Sequence, residues 1–123
     1  ARPIPVWIGS GASPRVLRRV VRCADGWMPL LLPGLDRVDL ADGVARLRTM
    51  AEEAGRDPGS LPIHGRVYLE EGFEARVEQA AELGFSDLSI GFNRRLHPGR
   101  SHAEHLEVVL EAKPVVDRII GTA

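Results

Sequence analysis

The chain has 123 residues, 44% of them hydrophobic and 27% charged, which is room for one domain around one core and excludes a disordered chain. Sixteen Lys and Arg stand against 17 Asp and Glu, and a formal net charge of −1 excludes a general attraction to nucleic acid or to an acidic membrane surface. The single cysteine, Cys23, excludes an internal disulfide and points to a reducing compartment, the cytoplasm, while no apolar run approaches the ~18 residues that cross a bilayer.

No signal-peptide pattern opens the chain, and Arg2-Pro3-Ile4-Pro5 runs straight into a strand without an initiator Met, so the chain is expected to be a fragment. Val6, Trp7 and Ile8 are strand formers. They feed Gly9-Ser10-Gly11-Ala12-Ser13-Pro14, a glycine turn followed by an N-cap serine and a proline suited to the first helical position. A strand that enters a helix through such a turn presents free backbone N–H groups and the positive end of a helix dipole, which attract phosphate.

The spacing predicts a helix from about Pro14 to Ala24, with Val16, Leu17, Val20, Val21 and Ala24 on one face and four arginines on the other. Cys23 falls near the apolar side and is expected to be a small core residue. Asp25-Gly26 turns the chain into Trp27-Met28-Pro29-Leu30-Leu31-Leu32, a continuous apolar run of the kind buried on both faces of a parallel sheet, with Pro29 marking the end of its ladder. Pro33-Gly34 reads as a loop.

A second helix is predicted over about Val38 to Ala54, with Leu40, Val44, Leu47, Met50 and Ala51 as its stripe and Gly55 beyond its end. Leu61 to Leu69 reads as the third strand. His64 and Arg66 are polar residues within it, placed either toward a site or in a satisfied pair. A helix from about Phe73 to Leu83 buries Phe73, Val77, Ala80 and Ala81, and Gly84 ends it. Phe85 to Phe92 is the fourth strand. Ser101-His102-Ala103-Glu104 is a capping box, and the last helix carries Leu106, Val109 and Leu110 until Pro114 breaks or restarts it.

The predicted order is β-α-β-α-β-α-β-α, which implies α/β architecture with a parallel sheet. Four βα units in 123 residues match half of a (β/α)8 barrel, which needs about 250 residues. The alternative is a complete four-stranded doubly wound sheet. No Gly-x-Gly-x-x-Gly with a suitably placed acidic residue supports a dinucleotide site, and no Gly-x-Ser-x-Gly elbow surrounds Ser10. His97, His102 and His105 lie close together, but no carboxylate or cysteine completes a metal-ligand spacing, so no metal site is assigned. Their loop, with Asn93 and Arg94 at the end of the fourth strand, is either in contact with substrate or merely solvated. Asp25 reads as a turn residue rather than a catalytic acid.

Pro3-Ile4-Pro5-Val6-Trp7-Ile8-Gly9-Ser10-Gly11, the Leu-Arg-Arg helix after it, and Ala24-Asp25-Gly26-Trp27-Met28-Pro29-Leu30 together resemble the luciferase-like monooxygenase superfamily. Ala54-Gly55-Arg56-Asp57-Pro58 and Glu82-Leu83-Gly84-Phe85 are similar to the segments before that family's seventh and eighth strands. Within the superfamily the chain looks most like the oxidoreductases that use the deazaflavin coenzyme F420, with FMN the alternative cofactor. The resemblance implies a TIM barrel of which residues 1–123 form the C-terminal half, βα units five to eight. It implies hydride transfer between the cofactor and a small organic substrate, with the cofactor held by Gly9, Ser10, Gly11, Met28, Pro29 and Leu30. His64, Asn93 and Arg94 would face the substrate. The family's first four strands are absent, so the expected partner is an N-terminal half-barrel or a second copy of this chain in a homo-oligomer. The half alone is expected to be inactive.

Overall fold

Short strands alternate with helices in the computed structural model, which describes residues 2–29, 40–91 and 99–121. The order is β1 (Trp7–Ser10), α1 (Pro14–Cys23), β2 (Gly26–Pro29), α2 (Leu40–Glu53), a 3-10 turn at Pro58–Ser60, β3 (His64–Tyr68), α3 (Phe73–Glu82), β4 (Asp87–Gly91) and α4 (His102–Ile120). The predicted elements are all present. Leu30–Leu32 and Pro33-Gly34 lie outside the described residues. β1 starts at Trp7 and ends two residues later than expected, because Gly9 and Ser10 pair with Met28 and Pro29 instead of belonging wholly to the turn.

β1 pairs with β2 in parallel, Trp7 opposite Gly26. β3 pairs with β4 in parallel, from His64 opposite Asp87 to Tyr68 opposite Gly91. An isolated parallel bridge, Trp27–Ile63, joins the two ladders, and the Trp27 N–H donates to the Pro62 carbonyl at 3.1 Å. Strand order therefore follows chain order. A doubly wound sheet reverses its order and carries helices on both faces. Here the order does not reverse and the helices pack on one face. Leu17, Val20 and Val21 of α1 and Val44, Leu47 and Ala51 of α2 form a buried cluster with Trp27 and Ile63, against which Ile8 packs. Val77 of α3 and Val116 of α4 cluster with Val67, and Leu88 and Ile90 pack against them. The architecture is that of half a (β/α)8 barrel, with the helices on the convex side.

Several links between units run through side chains far apart in sequence. The Asp25 carboxylate accepts the Val6 N–H at 2.6 Å and the Asp25 N–H donates to the Val6 carbonyl at 2.7 Å, so this residue clamps the approach to β1 against β2. Arg56 donates through Nη1 to the carbonyls of Val21 (3.0 Å) and Ala24 (2.8 Å), satisfying acceptors at the C-terminal end of α1 that the helix itself leaves open. Asp57 caps the 3-10 turn by accepting the Gly59 N–H. The Ala54–Pro58 segment thus has a structural job, tying α1 and α2 to the approach to β3.

Three packing expectations are corrected. Cys23 is exposed, its Sγ donating to the Arg19 carbonyl, because the apolar face of α1 is completed by Ala24 instead. Ala81 is exposed, since α3 buries only Val77 and Ala80. On α4 the buried residues are Ala112 and Val116, while Leu106 and Leu110 are each 58% exposed. α4 also runs unbroken through Pro114. The missing proline N–H leaves the carbonyl of the exposed Leu110 open to water, which makes the interruption tolerable there.

The capping box of α4 forms as predicted: Ser101 N–H donates to Glu104 at 2.6 Å and Glu104 N–H donates to the Ser101 hydroxyl at 3.3 Å. The backbone bond from Ser101, and after it the Ser101 hydroxyl, hold the Glu104 carboxyl below its ordinary pKa. A carboxylate depressed in the folded state stabilises above its unfolded pKa, and that contribution disappears as pH falls through the folded value. The protection of amides at the start of α4, measured against the unfolded exchange rate at the same pH, is expected to fall on acidification below about pH 4.5. In E104A the lower protection is expected already at neutral pH, with the acid-dependent step lost.

Candidate functional site

Strand alternation sorts the side chains into two sets. Ile8, Trp27, Ile63, Val67, Leu88 and Ile90 turn to the helices. Trp7 and Gly9, Gly26 and Met28, His64, Arg66 and Tyr68, and Asp87, Ser89 and Gly91 turn to the concave face, the inner wall of a barrel. One residue from each strand forms a band across that wall. The Trp7 ring lies over Gly26, where a Cβ would sit only 2.5 Å from two ring carbons. The Trp7 and His64 rings meet edge to face, 6.2 Å between centroids and 80° between planes. His64 Nε2 and Ser89 Oγ are hydrogen-bonded at 2.6 Å, the donor set by the imidazole tautomer. An aromatic wall beside a His–Ser pair can hold a planar or carbonyl-bearing molecule and offer it a hydrogen-bond donor.

The glycine turn lies at the C-terminal end of β1, the end of barrel strands where sites are built. Ser13 occupies the N-cap position of α1 in extended conformation, but no side chain caps that helix end. A Cβ at Gly11 would meet nothing within 4 Å, so space is open beside the turn. Arg46 of α2 steadies the turn by donating to the Ala12 carbonyl at 3.2 Å. Ser10 points to the helix side, and its hydroxyl accepts Trp27 Nε1–H at 3.2 Å, serving the β1–β2 junction.

Of the residues expected at a cofactor, Gly9 and Met28 face the concave side, Gly11 follows the end of β1, and Ser10 and the buried Pro29 face the helices. Leu30, Asn93, Arg94 and His97 lie outside the described residues. Among those expected at the substrate, His64 sits in the concave band. Trp7, expected only as a strand former, and Ser89, which falls in no motif, join His64 in this band. Their parity relative to Ile8 and Ile90 is the available signal, since residues beside a helix-facing apolar position point to the concave side. Among the described residues no group of three His, Cys, Asp or Glu side chains could hold a metal ion, and no helix is long and apolar enough to cross a membrane.

The family model for luciferase-like monooxygenases matches residues 1–117, and the chain belongs to that family. Two relatives carry the name phthiodiolone/phenolphthiodiolone dimycocerosates ketoreductase. The protein from Mycobacterium kansasii is 40% identical over 90 residues, covering 64% of this chain and 23% of the relative. The protein from Mycobacterium tuberculosis (strain CDC 1551 / Oshkosh) is 31% identical over 88 residues, covering 64% of this chain and 22% of the relative. The matched stretch thus spans under a quarter of either relative's length. The family's name and the relatives' printed names are all those of oxidoreductases.

Proposed function

We propose that the chain is the C-terminal half, βα units five to eight, of an F420-dependent oxidoreductase barrel whose concave face receives cofactor and substrate. The observation that carries this reading is the uncapped start of α1 behind an open glycine turn, at the functional end of a strand in a luciferase-like chain. That turn fits a phosphate: it offers backbone donors, lacks a competing side-chain cap, and has room at Gly11. Gly9, Gly11 and the backbone of Ser10 would hold the phosphate, with Met28, Pro29 and Leu30 at the neighbouring strand end. The bound deazaflavin supplies or accepts a hydride, whereas FMN, the alternative, supports the oxygen chemistry in the family's name. The relatives' naming as ketoreductases favours hydride delivery to a carbonyl carbon. His64, held by Ser89 and walled by Trp7, would donate a hydrogen bond to the substrate, and Asn93 and Arg94 would border it.

The test is a titration of F420 and of FMN into the full protein that carries these four units, followed by absorbance. Micromolar binding of F420 is expected, and binding of neither cofactor sinks the reading. Gly11→Asp adds a carboxylate beside the phosphate without steric conflict, because a Cβ there meets open space. It is expected to weaken cofactor binding about tenfold or more, equal to ~1.4 kcal/mol, with unchanged thermal stability. Unchanged affinity would remove the turn from the cofactor site.

A second reading concerns assembly. Among the described residues β1 and β4 each pair on one side only. Ile4 and Val6 on one flank and Leu106 and Leu110 on the other are exposed apolar side chains. The remaining barrel units, or a second copy of the chain, would cover both flanks and close the strand edges. Sedimentation of the isolated chain separates these: a monomer at all concentrations rules out the second copy.

A further inference from the structure

Arg66 is the one arginine or lysine on the concave face among the described residues. It stands opposite Ser89 in the β3–β4 register, one inward position beyond His64 toward the C-terminal end of its strand. Its Nε would lie 3.0 Å from a Cβ placed on Gly91, and its guanidinium carbon lies 5.5 Å from the centre of the Tyr68 ring. The side chain therefore lies along the sheet toward the functional end, in room that Gly91 leaves open, steadied by an aromatic ring. Four arginines elsewhere in the fold spend donors on acceptors: Arg46 on Ala12 and Asp42, Arg48 on Leu83, Arg56 on Val21 and Ala24, Arg118 on Glu74. Among the described residues no acceptor takes a donor of Arg66. Asp87, a carboxylate on this face, lies opposite His64 at the other end of the strand, and no ion pair joins it to Arg66.

We propose that Arg66, backed by Tyr68 and flanked by the His64–Ser89 pair, is an oxyanion subsite of the concave face, taking a carboxylate or phosphate group of the bound ligand. A guanidinium suits this because its fixed fork of N–H donors matches two oxygens of such a group. The subsite lies on β3 and β4 and is separate from the glycine turn on β1. It rests on the reading of this face as the ligand side of the barrel wall, and not on the turn holding phosphate. The oxyanion belongs either to the substrate or to the cofactor.

The test is titration of inorganic phosphate, and separately acetate, into the nitrogen-15-labelled chain, following backbone amides and the Arg66 Nε–H. Saturable shifts are expected at Arg66, Tyr68, Ser89 and Gly91, with affinity reduced about tenfold or more in R66Q and less in R66K, which keeps the charge but loses the fork. Absence of shifts at these positions, or shifts that survive R66Q unchanged, overturns the proposal. Matching spectra away from the site show that each variant is folded, and R66K preserves the test if R66Q is not. Shifts at Gly9 to Ser13 report on the turn separately, so either site can fail alone. FMN and riboflavin then distinguish the sources: shifts at Arg66 with FMN and not with riboflavin assign the cofactor's phosphate, and shifts with acetate or phosphate but not FMN assign a substrate group.

Discussion

Trp27→Ala is expected to remove most of the chain's stability, lowering its urea midpoint by roughly 2 M or abolishing a cooperative transition. Trp27 is fully buried, and it is the largest side chain in the core. It packs with residues of both α1 and α2, its backbone carries the bridge to Ile63, and its indole N–H donates to Ser10 of β1. One residue therefore ties three strands and two helices, its side chain supplying the helix packing and the bond to β1. Truncation of a buried tryptophan to alanine costs about 3–5 kcal/mol. Domains of this size are stable by about 5–15 kcal/mol in total, and an open-edged half-barrel belongs at the low end. With a slope of about 2 kcal/mol per molar urea, a loss near 4 kcal/mol gives the stated shift. Trp27→Phe keeps most of the buried area and loses the Ser10 bond, and is expected to cost only about 1 kcal/mol. Equal stability losses for the two variants would show that the hydrogen bond, and not the packing, carries the effect.

Gly26→Ala is expected to destabilise the chain by about 1–3 kcal/mol through overpacking on the concave face. The added methyl would sit 2.5 Å from Cε3 and Cζ3 of Trp7 and 2.8 Å from Cδ2, far inside contact distance. Gly26 does not have a positive φ, so the cost is steric and not conformational. The ring must swing away, and the edge contact with His64 goes with it. Gly26→Ala measured in a Trp7→Ala background should then be close to neutral, because the atoms it strikes are gone. Urea unfolding of the four species gives the coupling directly. An equal penalty in both backgrounds would place the strain elsewhere and undo the account of how the band across the wall is built.

Much of the fold could be read from local chemistry, and particular residues show where that reading stops. The glycines after α2 and α3, Gly55 at φ +72° and Gly84 at φ +76°, adopt the left-handed conformation that ends a helix, and the Ser101–Glu104 box starts one. These signals act over a few residues and need no knowledge of the partner. The α1 stripe is of the same kind, except that Cys23 and Ala24 are neighbours and only packing could choose between them. On α4 the stripe misled. Leu106 and Leu110 are as apolar as any core residue, yet the neighbouring surface against which they would pack is not among the described elements, so Ala112 and Val116 take the buried places.

The candidate site divides in the same way. The glycine turn, its place after a strand and before a helix, and the alternation of strands with helices follow from residue type and spacing alone, because backbone freedom, capping and periodicity are local properties of the chain. Which side of each strand becomes the concave wall does not. Strands of four or five residues carry apolar groups on both sides, so parity acquires meaning only when helices cover one face. That covering sets Trp7 over Gly26, joins His64 to Ser89 across 25 residues of chain, and sends Arg56 back across 35 to the end of α1. Those contacts depend on the register between strands and the docking of helices, which the cooperative packing of the whole core selects and no short stretch encodes.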